Sequence, residues 1–156
     1  MNRIYLIALM LALPLVAHAG VAEKGLPFPS YVVTDAFGAT NTLAASTRFV
    51  IVSSEKGVSA KVHDWLVTKD KDFLAAHRAE YVSDITPMPS LIASMFAIPK
   101  MKKYPYKILL ARDPEFAKTY PHAAGKIALF MLDDNQAVAD IRFLDAPAEL
   151  DALVAK

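Results

Sequence analysis

The sequence predicts an α/β domain with a central mixed β-sheet, flanked by helices and preceded by an N-terminal β-hairpin. Two patterns support this fold class. The run 48–53 is almost continuously apolar, as a buried parallel strand requires, and apolar residues at helical spacing follow it. Near the end of the chain, two β-prone runs are joined by Asp133-Asp134-Asn135-Gln136, a composition typical of hairpin turns. A right-handed β-α-β unit followed by a hairpin and a closing helix gives a mixed sheet with helices on both faces.

Strand and helix patterns occur along the chain in the order that this architecture requires. We expect strands at 31–34, 40–43, 48–53, 79–85, 106–110, 126–132 and 137–144. We expect helical segments at 58–66, 73–77, 91–96, 113–118 and 147–154. Gly38 lies between the first two strands and can adopt a positive φ, so these strands are expected to form a hairpin. The predicted domain is residues 20–156.

Two of the predicted helices carry local signals for their ends and faces. Ser59 is expected to cap the first helix. The apolar face of this helix consists of Val58, Val62, Trp65 and Leu66. The third helix carries an apolar stripe, which consists of Leu91, Ile92, Met95 and Phe96. This helix is expected to stop near Pro99, because proline lacks the N–H that an interior helical hydrogen bond needs.

Residues 1–19 have the features of a secretory signal sequence. Arg3 gives a positive start, an apolar run extends from Ile4 to Val16, and Ala17-His18-Ala19 fits the small-x-small cleavage pattern. As a helix this apolar run would reach about 20 Å, which is short of the ~30 Å hydrocarbon core of a bilayer. We therefore expect a cleaved signal, a periplasmic product and no membrane span after cleavage.

The composition limits the classes of function. The chain has 17 basic and 16 acidic residues, and this balanced charge gives no sign of nucleic-acid binding or of attraction to an anionic membrane. It contains no cysteine, so thiol oxidoreductase and thiol peroxidase activities are excluded, because the thiolate is their nucleophile. No phosphate loop, dinucleotide-binding fingerprint or catalytic-triad signature occurs, and no cofactor is predicted.

The second half of the chain resembles secreted thioredoxin-like and peroxiredoxin-like proteins. A strand that opens at Tyr104-Pro105 and ends at Arg112-Asp113, then a short helix and the 129–135 hairpin, carry this resemblance. More closely, residues 26–155 resemble the YtfJ-like family of periplasmic thioredoxin-fold proteins. The matching motifs are Leu26-Pro27, Thr34-Asp35, the proline-rich turn after Ile85, Lys102-Lys103-Tyr104-Pro105 and Leu132-Asp133. The resemblance implies a thioredoxin-like fold and a periplasmic location, and it supplies no catalytic residue.

Two departures from active thioredoxins follow from this resemblance. The position where a Cys-x-x-Cys motif would start a helix reads Ser53-Ser54-Glu55-Lys56-Gly57-Val58. The strand that begins at Lys126 follows Gly125, where active relatives keep a proline opposite the cysteine pair. Both parts of the redox site are missing. We therefore expect a redox-inactive domain that acts by binding a periplasmic protein or a small ligand.

The first candidate binding site is the loop after the first buried strand, formed by Ser53, Ser54, Glu55 and Lys56. Ligands of open α/β sheets bind beyond the carboxyl ends of the strands, and N–H groups at a helix start can hold an anion. The same residues are also typical of a simple polar turn. The alternative function is an enzyme that uses Ser54, Glu55 and Lys56 in non-thiol chemistry. No local motif supplies a base for a serine nucleophile, so no catalytic residue is assigned.

The second candidate site is the lysine-rich stretch 100–107, in particular Lys102, Lys103, Tyr104 and Tyr106. It suits docking of an acidic partner, because tyrosine is enriched at interfaces, but it also fits an ordinary solvated surface.

A third interpretation is a metal or cofactor carrier. Methionines 88, 95 and 101, together with a histidine, suit a soft ion such as Cu(I). The histidines at 63, 77 and 122 form no close pair in sequence, and the spacing of metal ligands is absent, so no metal site is predicted.

Overall fold

The computed structural model describes residues 20–155, and the predicted signal sequence lies outside the described residues. These residues form a seven-stranded sheet in the order β2-β1-β5-β4-β3-β6-β7. The strands are β1 (Val32–Asp35), β2 (Thr40–Thr42), β3 (Phe49–Ser53), β4 (Ala79–Asp84), β5 (Leu109–Ala111), β6 (Ile127–Leu132) and β7 (Val138–Leu144). β3, β4 and β5 are parallel, whereas β6, β7 and the β1–β2 hairpin run antiparallel to their neighbours. The predicted mixed sheet with an N-terminal hairpin is confirmed.

The sheet has a hydrophobic core on each face, because successive side chains of a strand point to opposite sides. In β3, Ile51 lies in one core, and Val50 and Val52 lie in the other. The first core is closed by α1 (Lys56–Leu66), α2 (Phe73–Ala76) and α6 (Ala148–Val154). The second core is closed by α5 (Glu115–Thr119) and by aromatic residues of the N-terminal arm. Helices therefore cover both faces, as the sequence pattern predicts.

The start of α1 differs from its prediction. The helix begins at Lys56, directly after Glu55, and Glu55 makes no capping hydrogen bond with its side chain. Ser59 lies one turn inside the helix, so its assignment as the cap is wrong. Its hydroxyl instead bonds to serine hydroxyls of the neighbouring strands. The predicted apolar face is confirmed, because Val58, Val62, Trp65 and Leu66 are all buried.

The third predicted helix also continues further than expected. It starts as α3 (Ser90–Ile92), widens into a π-helical turn (Ala93–Ala97) and ends as α4 (Ile98–Met101). Pro99 is therefore inside the helical segment, and the prediction that the helix stops there is wrong. Pro99 occupies the first turn of α4, directly after the π turn, where a missing N–H breaks no regular hydrogen bond.

The apolar stripe of this helical segment faces outward. Its four side chains are 45–65 % exposed. The side facing the sheet carries Ala93, which is buried, with Ile98 and Met101 half-buried beside it. The sequence pattern alone would instead place the side with the large apolar residues in the core. No helix among the described residues is long and apolar enough to cross a bilayer.

Candidate functional site

The loop after β3 combines one buried residue with three accessible ones. Ser53 has no exposed surface, whereas Ser54 is half-buried and Glu55 and Lys56 are exposed. Because Ser53 is enclosed, a ligand can reach this loop only through the other three side chains.

Ser53 belongs to a hydroxyl network that also contains Ser59, Tyr81 and Ser83. The Ser53 Oγ lies 2.8 Å from the Ser59 Oγ and 2.8 Å from the phenolic oxygen of Tyr81. The Ser59 Oγ lies 3.2 Å from the Ser83 Oγ. Tyr81 is 1 % exposed, and its burial raises the pKa of the phenol. The network therefore joins α1 to β3 and β4 with uncharged hydroxyl groups.

Glu55 connects this loop to the one before β6. The backbone N–H of Gly125 donates a hydrogen bond of 2.7 Å to the Glu55 Oε1. Gly125 has φ +71°, a conformation that glycine adopts without strain. The two positions that the thioredoxin resemblance marks as halves of the redox site therefore do meet. They meet through a carboxylate and a backbone amide, and this bond occupies one oxygen of the carboxylate that a Glu55 base would use.

The structure brings His63 to two of the predicted site residues, Tyr104 and Tyr106. The His63 ring stacks on Tyr104 with 4.0 Å between ring centroids. The Nδ1 of His63 lies 2.7 Å from the phenolic oxygen of Tyr106, which is 8 % exposed. We call these three residues the aromatic cluster.

The strand predicted at 106–110 differs from the observed one. β5 covers Leu109–Ala111, so Tyr106 lies before this strand and not within it.

Sequence reasoning missed this role of His63 and considered it only as a metal ligand. Helical spacing shows only that His63 is adjacent to the buried Val62, and it does not specify a contact with residues more than 40 positions away. The aromatic cluster also approaches the hydroxyl network, since the rings of Tyr81 and Tyr106 are 6.2 Å apart. The hydroxyl network, which includes Ser53, and the aromatic cluster are thus neighbours.

Burial determines the ionisation of the aromatic cluster. It lowers the pKa of His63, an effect that the positive charge of Lys100 strengthens and the negative charge of Asp64 opposes. Burial also raises the pKa of Tyr104 and Tyr106. The imidazole and both phenols are therefore uncharged near pH 7, and each can donate or accept a hydrogen bond.

Lysines surround the aromatic cluster. Lys100, Lys102 and Lys103 are all exposed. Within residues 20–155, no carboxylate lies within 4.0 Å of their amino groups. The Lys102 Nζ lies 6.0 Å from the ring centre of Phe37, a residue at the tip of the β1–β2 hairpin that is 74 % exposed. This surface combines aromatic and apolar groups with unpaired positive charge.

The residues considered for a metal site have different surroundings. The Nδ1 of His77 is 2.8 Å from the Phe73 carbonyl oxygen, His63 is in the aromatic cluster, and His122 is exposed in a loop. Met88 and Met101 pack against the first core, whereas Met95 is 58 % exposed. In the described part of the chain, no three His, Cys, Asp or Glu side chains are grouped as metal ligands.

A groove in the described part of the chain borders both candidate sites without containing their accessible residues, because Tyr81 of the hydroxyl network and Lys107 of the stretch 100–107 line it. This open groove of about 590 Å³ is bordered by the β1–β2 hairpin, the C-terminal end of α2 and the start of β4. Glu80 lines it, but its carboxylate already accepts hydrogen bonds from Tyr31, Thr47 and the Ala44 N–H. A second cavity, of about 310 Å³, lies beside α3 and is lined by Ser90, Ser94, Ile98, Arg112 and their neighbours. Hydrogen bonds within the fold therefore occupy the Glu80 carboxylate, and it has a structural role in the groove. For this reason the aromatic cluster is the better candidate for a functional site.

Several solved structures are similar to this fold. The thio-disulfide isomerase from Thermus thermophilus matches with a TM-score of 0.53 and 19 % identity, covering 85 % of this chain and 96 % of that one. Peroxidoxin BcpB from Mycobacterium tuberculosis matches with a TM-score of 0.53 and 15 % identity, covering 83 % of this chain and 91 % of that one. An uncharacterized thioredoxin-like protein from Porphyromonas gingivalis also matches with a TM-score of 0.53 and 15 % identity, covering 87 % of this chain and 92 % of that one. At these identities the similarity shows a thioredoxin-like fold.

No protein-family model matches the chain, and no curated protein matches it significantly. The class is therefore defined by its fold and composition. This protein has a thioredoxin-like domain that contains no cysteine.

Proposed function

We propose that this protein is an exported, redox-inactive thioredoxin-like domain that acts by binding a protein partner in the periplasm, as a member of the YtfJ-like family. The observation that carries this proposal is a thioredoxin-like fold in a chain without cysteine. Without a thiolate, neither disulfide exchange nor peroxide reduction by cysteine can proceed.

The position of the former redox site supports a binding role. Hydrogen bonds within the protein occupy the Ser53 hydroxyl and one Glu55 oxygen, so these groups serve the fold. More accessible groups are found at the second candidate site, where half-buried Tyr104 follows exposed Lys102 and Lys103 in the chain. Tyrosine is enriched at protein interfaces, since it combines apolar contact area with a polar hydroxyl.

In-cell crosslinking tests the binding role. The full-length gene is expressed in its own host, the periplasmic fraction is treated briefly with a crosslinker, and products are identified by mass and sequence. We expect Gly20 to be the first residue of the product, together with one stoichiometric complex. Tyr104→Ala should lower the yield of that complex at least fivefold, whereas the matched control Glu55→Ala should leave it unchanged.

Other results separate the alternatives. A monomer without any adduct, in cells where the protein is needed for growth, contradicts binding to a protein. Loss of function in Glu55→Ala, with the complex intact, favours an enzyme at the loop after β3. An intact N-terminus starting at Met1 contradicts export by a cleaved signal.

A further inference from the structure

The third helical segment carries its large apolar side chains on the solvent side, which reverses the usual arrangement of a surface helix. Leu91 is 65 % exposed, Ile92 45 %, Met95 58 % and Phe96 64 %. Together they form an apolar patch of roughly a few hundred Å², the size that marks interaction sites on soluble proteins. Single exposed apolar residues need no explanation, but four within six consecutive positions do.

The patch continues toward the lysines described above. Lys100 lies on α4 itself, and Lys102 and Lys103 directly follow its last residue. The Lys102 amino group lies near the exposed Phe37 ring, so the surface continues to the tip of the β1–β2 hairpin. Exposed Arg112 borders the cavity of about 310 Å³ beside the same helical segment. Positive charge therefore follows the apolar stripe at its C-terminal end.

We infer that the outward face of Ser90–Met101 is a docking surface for an acidic, amphipathic protein segment. Its apolar side chains would cover Leu91, Met95 and Phe96, and its carboxylates would pair with Lys100, Lys102 and Lys103. This inference rests on the proposed binding function, and it names the surface and the chemistry of the partner. Complementary charge speeds association and excludes partners of the wrong sign, whereas the apolar contact supplies the affinity.

Two other occupants fit the observations less well. A second copy of this chain would bring the same lysines, and the segment 90–101 contains no Asp or Glu to pair with them. An anionic bilayer would be attracted by net positive charge, but the full chain has a formal net charge of only +1. The apolar stripe is also short, because six helical residues span about 9 Å. Helices that lie in a bilayer interface are often 20–30 residues long.

Peptide binding tests the chemistry of the docking surface directly. The exported protein, labelled with ¹⁵N, is titrated with a synthetic amphipathic peptide that has leucine on one face and glutamate on its flanks. A matched peptide has lysine in place of each glutamate. We expect the glutamate peptide to shift amide resonances of residues 90–103, and the lysine peptide to bind at least tenfold more weakly.

Variants of the protein make the test specific. Met95→Ser combined with Phe96→Ser should weaken binding of the glutamate peptide at least tenfold, whereas Val32→Ser, at an apolar site 73 % exposed elsewhere, should not. Lys102→Glu combined with Lys103→Glu should reverse the preference, so that the lysine peptide binds better. Lys56→Glu combined with Lys71→Glu, at two exposed lysines outside the segment, is the matched charge control. Circular dichroism confirms that each variant is folded.

Several outcomes overturn the inference. Equal affinity for both peptides, or shifts that leave residues 90–103 unaffected, contradicts the docking surface. Tighter binding to phosphatidylglycerol vesicles, lost in the Met95 and Phe96 variant, assigns the patch to a membrane. Self-association that the same variant abolishes assigns it to a second copy of the chain.

A photocrosslinking residue placed in cells separates this inference from the proposed function. An adduct from position 96 that disappears when Lys102 and Lys103 are reversed in charge supports both. An adduct from position 104 or 32, with none from position 96, leaves the binding function standing and refutes this surface. No adduct from any of these positions contradicts both.

Discussion

The outward orientation of the apolar stripe can be tested by the stability of one variant, Phe96→Ala. Phe96 is 64 % exposed, so only about a third of its side chain is removed from water. Full burial of a phenylalanine stabilises a fold by about 1.5–3 kcal/mol, so the lost contact amounts to about 0.5–1 kcal/mol. Alanine has a higher helix propensity than phenylalanine, which offsets about 0.5 kcal/mol of that loss. The expected change in the free energy of unfolding is therefore within about 0.5 kcal/mol.

Urea unfolding of the exported protein, followed by tryptophan fluorescence, measures this change. Trp65 is the single tryptophan and is 8 % exposed on α1, so its emission reports loss of the first core. Phe130→Ala is the matched control, because it makes the same chemical change at a residue of β6 with no exposed surface. Phe130→Ala should lower the free energy of unfolding by about 3–5 kcal/mol.

The comparison of the two alanine variants decides the orientation. A loss above about 2 kcal/mol in Phe96→Ala would place Phe96 in the core, as the sequence pattern predicts, and would remove the apolar patch. It would also remove the basis for a docking surface on this helix. A small loss in both variants would show that β6 is not in the core, and the fold itself would then be wrong.

Three further predictions concern the candidate sites. Ser53→Ala should lower the free energy of unfolding by about 1–3 kcal/mol, because it removes the hydroxyl that lies 2.8 Å from the buried Tyr81 phenol. Adding Tyr81→Phe should recover part of this loss, and a double-mutant cycle measured by urea unfolding gives the coupling between the two residues. Because the pKa of His63 is lowered below 6.5 in the folded state, the unfolded chain binds more protons, and stability should decrease as the pH falls through 6.5 toward the folded value. Thermal melts between about pH 8 and pH 5 should show this decrease, and His63→Gln should flatten it. Glu55→Gln should change the free energy of unfolding by less than about 1 kcal/mol, because its bond to Gly125 is exposed, and a larger loss would contradict a merely local role.

Local patterns were sufficient to predict the sheet and most of its elements. The alternation of Val50, Ile51 and Val52 between the two cores follows directly from strand geometry. The apolar face of α1 and the hairpin between β6 and β7 are likewise local features of spacing and turn chemistry. The absence of cysteine, which limits the chemistry of the whole domain, is a property of composition alone.

Tertiary structure decided which residues meet and which face outward. Helical periodicity identifies the stripe with Met95 and Phe96, but it cannot say whether that face or the one with Ala93 packs on the sheet. The contact of His63 with Tyr104 and Tyr106 joins residues more than 40 positions apart, and no local signal specifies such a contact. The same holds for the bond between Glu55 and Gly125. Sequence spacing thus determines the elements, whereas the candidate site depends on how the sheet places them together.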